Sequence, residues 1–155
     1  MALYPDSKHG DALALGESYQ DFVAAVLEKQ LGITLHYYHT KSQQYGIGES
    51  EEGYEVKLDL PCTETGRLSI EVGEKTRADL PCFTPSGIMR QDNTIWYVQG
   101  NRVRIWVFRK AMLRYVFRRD TYPVISDRPP TIQKFYLPVG IAEVLAEHKF
   151  NVAKV

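Results

Sequence analysis

The sequence predicts a mixed α/β domain, with a β-sheet flanked by helices, on three observations. Gly16–Leu31 carries apolar side chains at helical spacing. Two strand-length runs between Tyr54 and Lys75 alternate apolar and polar residues, and the second half of the chain passes from strand to helix twice. With 155 residues the chain fits one domain, residues 1–155. A composition of 44% hydrophobic and 25% charged residues argues against disorder. No apolar run approaches the roughly 18–20 residues of a membrane span. The opening "MALYPDSKHGDALALGES" lacks a basic start followed by an apolar block. A cytoplasmic protein without membrane attachment is therefore expected.

In the first helix Tyr19, Phe22, Val23, Val26, Leu27 and Leu31 form one apolar face, and Gly32 stops it. Ile33–His39, "ITLHYYH", is β-branched and aromatic and reads as a strand, followed by a long loop over Thr40–Gly53. Tyr54, Val56, Leu58 and Leu60 then face one way, with Glu55, Lys57 and Asp59 opposite. After the turn "PCTETG", Leu68, Ile70 and Val72 face the core while Ser69, Glu71 and Gly73 face out. So short a connection predicts an antiparallel hairpin that brings Asp59 and Glu71 onto one face. Lys75–Asn93 reads as a loop, and Thr94–Arg109 as a hairpin turning at Gly100-Asn101. A short helix (Lys110–Arg119), a strand (Thr131–Val139) and a closing helix (Gly140–Lys149) complete the order.

The zero net charge conceals two unlike halves. Residues 1–75 hold 13 acids and 6 bases (−7), and residues 76–155 hold 6 acids and 13 bases (+7). Such a chain can set an acidic pocket beside a basic surface, as a metal-dependent enzyme acting on a polyanion requires. Cys62 and Cys82 each sit in "DLPC". With His36 and His39 they make a nominal zinc set, but no C-x-x-C or H-x-x-x-H spacing is present and free thiols are the preferred reading. The sequence has no phosphate-binding loop, dinucleotide fingerprint, H-E-x-x-H or nucleophile elbow. His9, His36, His39 and His148 have no evident catalytic partner.

Two constellations carry chemistry. In the acidic hairpin, Asp59 and Glu71 have the residue types that hold Mg²⁺ or Mn²⁺, with a lysine beside them to stabilise negative charge. The same alternation also belongs to any strand pair with one wet face. The second constellation is basic: Arg102, Arg104, Arg109, Lys110, Arg114, Arg118 and Arg119 occur with no acid among them. Lys110, Arg114 and Arg118 recur every four residues along one helix face, suiting phosphate oxygens, or else a solvated face paired with the acidic half. The loop Pro81–Thr94 is a candidate lip of a substrate groove, with Arg90 and Asn93 of the loop and Arg77 just before it touching phosphate.

"GESEEGYEVKLD" (Gly48–Asp59) followed by "LSIEVGEK" (Leu68–Lys75) resembles the PD-(D/E)XK superfamily of restriction-endonuclease-like nucleases, in particular phage and bacterial members with a G-x-E-x-K-x-D segment. The resemblance spans about residues 16–109 through the order of elements. It implies a restriction-endonuclease-like core, a mixed central sheet flanked by helices, and Mg²⁺- or Mn²⁺-dependent hydrolysis of DNA to 5′-phosphate and 3′-hydroxyl ends. Asp59 and Glu71 would be metal ligands. Lys57, or Lys75 as second choice, would be the catalytic lysine, because Gly73 stands where the family places one. Glu55 would be a further ligand or general base, and Glu17 the acid of the first helix. Alternatively Glu55-Val56-Lys57 is itself the E-x-K, with Glu49 as the earlier acid. Arg90, Arg104, Arg109, Lys110, Arg114 and Arg118 would contact DNA, and a homodimer is an option the resemblance leaves open. The rival readings are a catalytically inactive nuclease-fold protein for DNA binding or assembly, and a protein–protein interaction domain.

Overall fold

The computed structural model describes residues 5–152, with side chains over 12–152; the side chain of His9 lies outside this range. The first helix, α1 (Pro5–Leu31), begins earlier than the periodicity predicts. Leu13 and Leu15 are exposed, although Leu15 continues the four-residue spacing of Tyr19, Val23 and Leu27, so this part of the helix buries no apolar stripe. Gly32 ends the helix at φ +67, its N–H donating to the Glu28 carbonyl.

Ile33–His39 is not a strand, contrary to its composition. It makes one isolated antiparallel bridge, Tyr37 to Ser50, because no neighbour runs alongside it far enough to build a ladder. The expected loop after it contains α2 (Lys41–Gly46), started by a capping box in which Thr40 and Gln43 satisfy each other's backbone N–H groups.

The remaining elements are β1 (Tyr54–Leu58), α3 (Cys62–Thr65), β2 (Arg67–Glu74), β3 (Thr84–Pro85), a 3-10 turn (Gly87–Met89), β4 (Trp96–Gly100), β5 (Arg104–Arg109), α4 (Lys110–Arg118), β6 (Ile125–Ser126), β7 (Ile132–Pro138), α5 (Val139–Leu145) and β8 (His148–Asn151). They form two four-stranded sheets, ordered β1-β4-β5-β8 and β3-β2-β7-β6. The first is mixed, with β1 parallel to β4 and the rest antiparallel; the second is wholly antiparallel.

The fold is thus mixed α/β with five helices among the described residues, and it corrects the expected single sheet. It also corrects the hairpin. The "PCTETG" connection coils into α3, closed by Gly66 at φ +71, and leads the chain out of one sheet into the other. β1 then pairs with β4, and β2 with β7 across a bulge between Glu71 and Gly73. The closing helix stops at Leu145, since the next residues add β8 to the edge of β5. The β4–β5 hairpin and α4 match the expectation. Asn101 closes that turn, its Oδ1 accepting from the Val103 and Arg104 N–H groups.

Two cores result. One packs Tyr19, Val23 and Leu27 of α1 on Tyr54, Val56, Val98, Ile105 and Val107 of the first sheet. The other joins Tyr97, Trp106 and Phe108 to Leu68, Ile70, Phe135 and Leu137 of the second sheet, with Leu113 and Ala142 from α4 and α5. The first sheet is buried on both faces, so its strands read as nearly continuous apolar runs. Among the described residues no helix is long and apolar enough to cross a membrane.

Candidate active site

Strand alternation fixes the site. Tyr54 and Val56 point toward α1, so Glu55 and Lys57 project from the opposite face of β1. The parallel register sets Glu55 beside Tyr97 and Lys57 beside Gln99 on β4. An acid, a lysine, a phenol and an amide therefore share one side of the first sheet.

Glu55 is 4% exposed, and its Oε2 has no hydrogen-bond partner. Its Oε1 lies 4.0 Å from Lys57 Nζ, whose side chain is 36% exposed. Burial pushes the Glu55 carboxyl up from the ordinary glutamate range, against the pull of Lys57. Burial pulls the Lys57 ammonium down, but Glu55, Glu71 and Glu49 outweigh it and hold its pKa above the usual lysine range. Glu49 closes the open edge of β1. Its Oε1 accepts from Val56 N–H at 2.9 Å and from Gln20 Nε2 of α1 at 2.9 Å. Burial and the neighbouring Glu55 push its carboxyl up to about 7. Tyr97 is fully buried with an unpartnered hydroxyl, and Gln99 Oε1 is likewise unpartnered. Each such buried group costs about 1–3 kcal/mol, and three of them lie on one face of two adjacent strands.

The candidate residues divide sharply. Asp59 is 8% exposed, and its Oδ2 accepts from Ser69 N–H and from Gln99 Nε2, each at 2.8 Å. That carboxylate oxygen ties the end of β1 to β2. Glu71 sits on β2 and acts on Lys57 through its charge; the backbone of Gly87 packs against its backbone so closely that a Cβ on Gly87 would fall 2.2 Å from the Glu71 carbonyl oxygen. Lys75 is not in the cluster: its Nζ donates to the Leu80 carbonyl and lies over the Phe83 ring. Glu17 is exposed on α1, one turn before the Gln20 that binds Glu49.

Most of the charge of the basic stripe is engaged within the fold. Lys110 is buried, donating to Asp92 Oδ1 at 2.8 Å and to the Arg90 carbonyl. Arg114 donates to the carbonyls of Ile88 and Arg90. Arg104 forks onto Glu143, Arg109 pairs with Glu147 over the Trp96 ring, and Arg90 pairs with Glu74 beside Tyr45. Arg118 is exposed and lines, with Arg109, Arg114 and Ile95, a groove of about 300 Å³. Cys62 is buried and Cys82 exposed, both as free thiols.

Gln20, Tyr97 and Gln99 escaped the sequence reading. Gln99 left a signal, one amide inside the apolar run "WYVQG", whereas Gln20 looks like any polar residue on a helix. No protein-family model matches the chain, and neither does any curated protein or solved structure.

Proposed function

We propose that this protein is a metal-dependent nuclease that hydrolyses DNA phosphodiester bonds, built on a restriction-endonuclease-like core. In this reading Glu55-Val56-Lys57 is the E-x-K and Glu49 the earlier acid. The observation that carries it is the buried Glu55 carboxylate, with one oxygen lacking any donor and Lys57 beside the other. The donor set fits Mg²⁺ or Mn²⁺, which take one or two carboxylates and complete their shell with water and phosphate oxygens. Burial and the Glu55 charge raise the proton affinity of Glu49, and a cation between the two would remove that cost.

Glu55 and Glu49 would hold the ion, and bound there it supplies polarisation of a phosphoryl oxygen and a more acidic water. Lys57 stays charged at neutral pH and is exposed enough to reach a phosphate, where it offsets the negative charge that builds in the transition state. Glu71, close enough to act on Lys57, helps keep it protonated. Asp59 and Gln99 position β1 against β2. Arg118 and Arg109, at the groove beside α4, contact the backbone of the nucleic acid.

The test is cleavage of supercoiled plasmid and of oligonucleotides with Mg²⁺ or Mn²⁺, comparing wild type with Glu55→Gln and Lys57→Met. Each variant should lose at least about a hundredfold in rate. Undiminished cutting by both variants, or no cutting by wild type on any substrate form, would refute the nuclease reading. Salt-dependent DNA binding without cleavage would instead assign an inactive nuclease fold.

A further inference from the structure

A second cluster lies outside this site. His36, Glu51 and Glu52 each present one potential ligand atom, and the three atoms lie within 4.8 Å of one another. They come from two segments already locked together without any ion. Tyr37 bridges to Ser50, Glu51 N–H donates to the His36 carbonyl at 2.9 Å, and Tyr38 N–H donates to the Glu49 carbonyl at 3.1 Å. Glu52 fixes the imidazole, one carboxylate oxygen taking the His36 backbone N–H and the other lying 2.8 Å from Nδ1.

We propose that His36, Glu51 and Glu52 bind a divalent transition-metal ion of the Zn²⁺ class, clamping the 33–39 segment to the turn before β1. An imidazole with two carboxylates is a borderline donor set, which selects Zn²⁺ over the all-oxygen preference of Mg²⁺ or Ca²⁺. Zinc bonds of about 2.0–2.1 Å in a tetrahedron put ligand atoms about 3.3 Å apart, so side-chain rotation of an ångström or so closes the cage. Three protein ligands leave a fourth position. His36 and Glu51 both line a groove of about 910 Å³ between α1 and the 35–44 segment, with Glu17, Asp21, His39 and Lys41 around them. The fourth ligand is then water or a small anion drawn from that groove.

The ion at this site is independent of the one proposed at Glu49 and Glu55, and the experiment keeps the two apart. Zn²⁺ is titrated calorimetrically into Glu55→Gln protein in the presence of millimolar Mg²⁺, and into the same protein carrying His36→Ala or Glu51→Gln. One Zn²⁺ per chain should bind, with each second substitution weakening it more than the roughly tenfold cost of losing an outer-sphere partner. Zn²⁺ should also raise the melting temperature of the Glu55→Gln protein and leave that of the His36→Ala form unchanged. His36 and Glu51 are exposed, so both substitutions leave the fold intact. Equal Zn²⁺ affinity with and without His36, or no binding, would overturn the proposal and leave a histidine–glutamate hydrogen bond alone. Neither result bears on DNA cleavage.

Discussion

The Asp59 carboxylate receives two hydrogen bonds through a single oxygen, while Glu55, four residues earlier on the same strand, is buried with an oxygen that receives none. The two acids are alike in sequence and opposite in consequence. Asp59→Ala strands the Ser69 N–H and removes the tie between β1 and β2. It should lower the unfolding free energy by about 1–3 kcal/mol in urea titrations. If the stability of that variant equalled wild type, the structural role of Asp59 would be wrong. Glu55→Gln should do the reverse, holding or raising stability while abolishing cleavage. A buried carboxylate oxygen that receives no hydrogen bond is a stability cost that the proposed function accounts for.

Among elements, the loop between β3 and β4 shows how a sequence feature changes meaning. Lys110 and Arg114 were legible as a basic helix face, and α4 forms where its spacing predicts. Yet both side chains turn inward to hold the loop that packs on β2, and the Lys110–Asp92 pair is buried, with side chains 6% and 2% exposed. Lys110→Met leaves Asp92 charged with only the Thr94 N–H as a partner, so unfolding should become easier by about 3–5 kcal/mol. The double variant with Asp92→Asn should recover much of that loss. A deficit under about 1 kcal/mol in the single variant would mean that the pair is solvated after all. Gly87, at φ +55 against the Glu71 backbone, belongs to the same clamp. Gly87→Ala forces loop and strand apart and should cost cleavage and stability together, read by plasmid nicking and by melting temperature.

Across the whole molecule, the −7 and +7 halves do not neutralise each other. Among the described ion pairs only Arg90–Glu74 crosses the division, whereas Arg104, Arg109, Lys110 and Lys149 pair with acids of their own half. Glu49, Glu51, Glu52 and Glu55 of the acidic first half therefore form no ion pair with the basic half. Glu143 of α5 is the main acceptor of the basic half, gathering Arg104, the Trp106 indole N–H and Lys149. Burial pushes its carboxyl up, but these donors prevail and hold it below the usual glutamate range. A depressed carboxyl stabilises the fold above its unfolded pKa, and that contribution disappears as pH falls through the folded value. Glu143→Gln should then be clearly less stable than wild type at pH 7, with the gap closing as the solution is acidified below the glutamate range. An equal gap at both ends of an acid titration would remove the ion-pair explanation.

What the sequence determined by itself was local. The stripe of α1 after Gly16, the β4–β5 hairpin at Gly100-Asn101, α4, and the alternation that puts Glu55 and Lys57 on one face all depend on residues close in the chain. Only the tertiary structure decided the partners. β1 joins β4 about 40 residues away, β2 leaves for β7 in another sheet, and Ile33–His39 finds no ladder despite its β-rich composition. Strand pairing depends on which edge is free once the cores close, and that is a property of the packed whole. For the same reason Asp59 and Glu71 never became a facing pair. Glu49, six residues before Glu55 in the chain, came into its place only when the edge of β1 needed an acceptor.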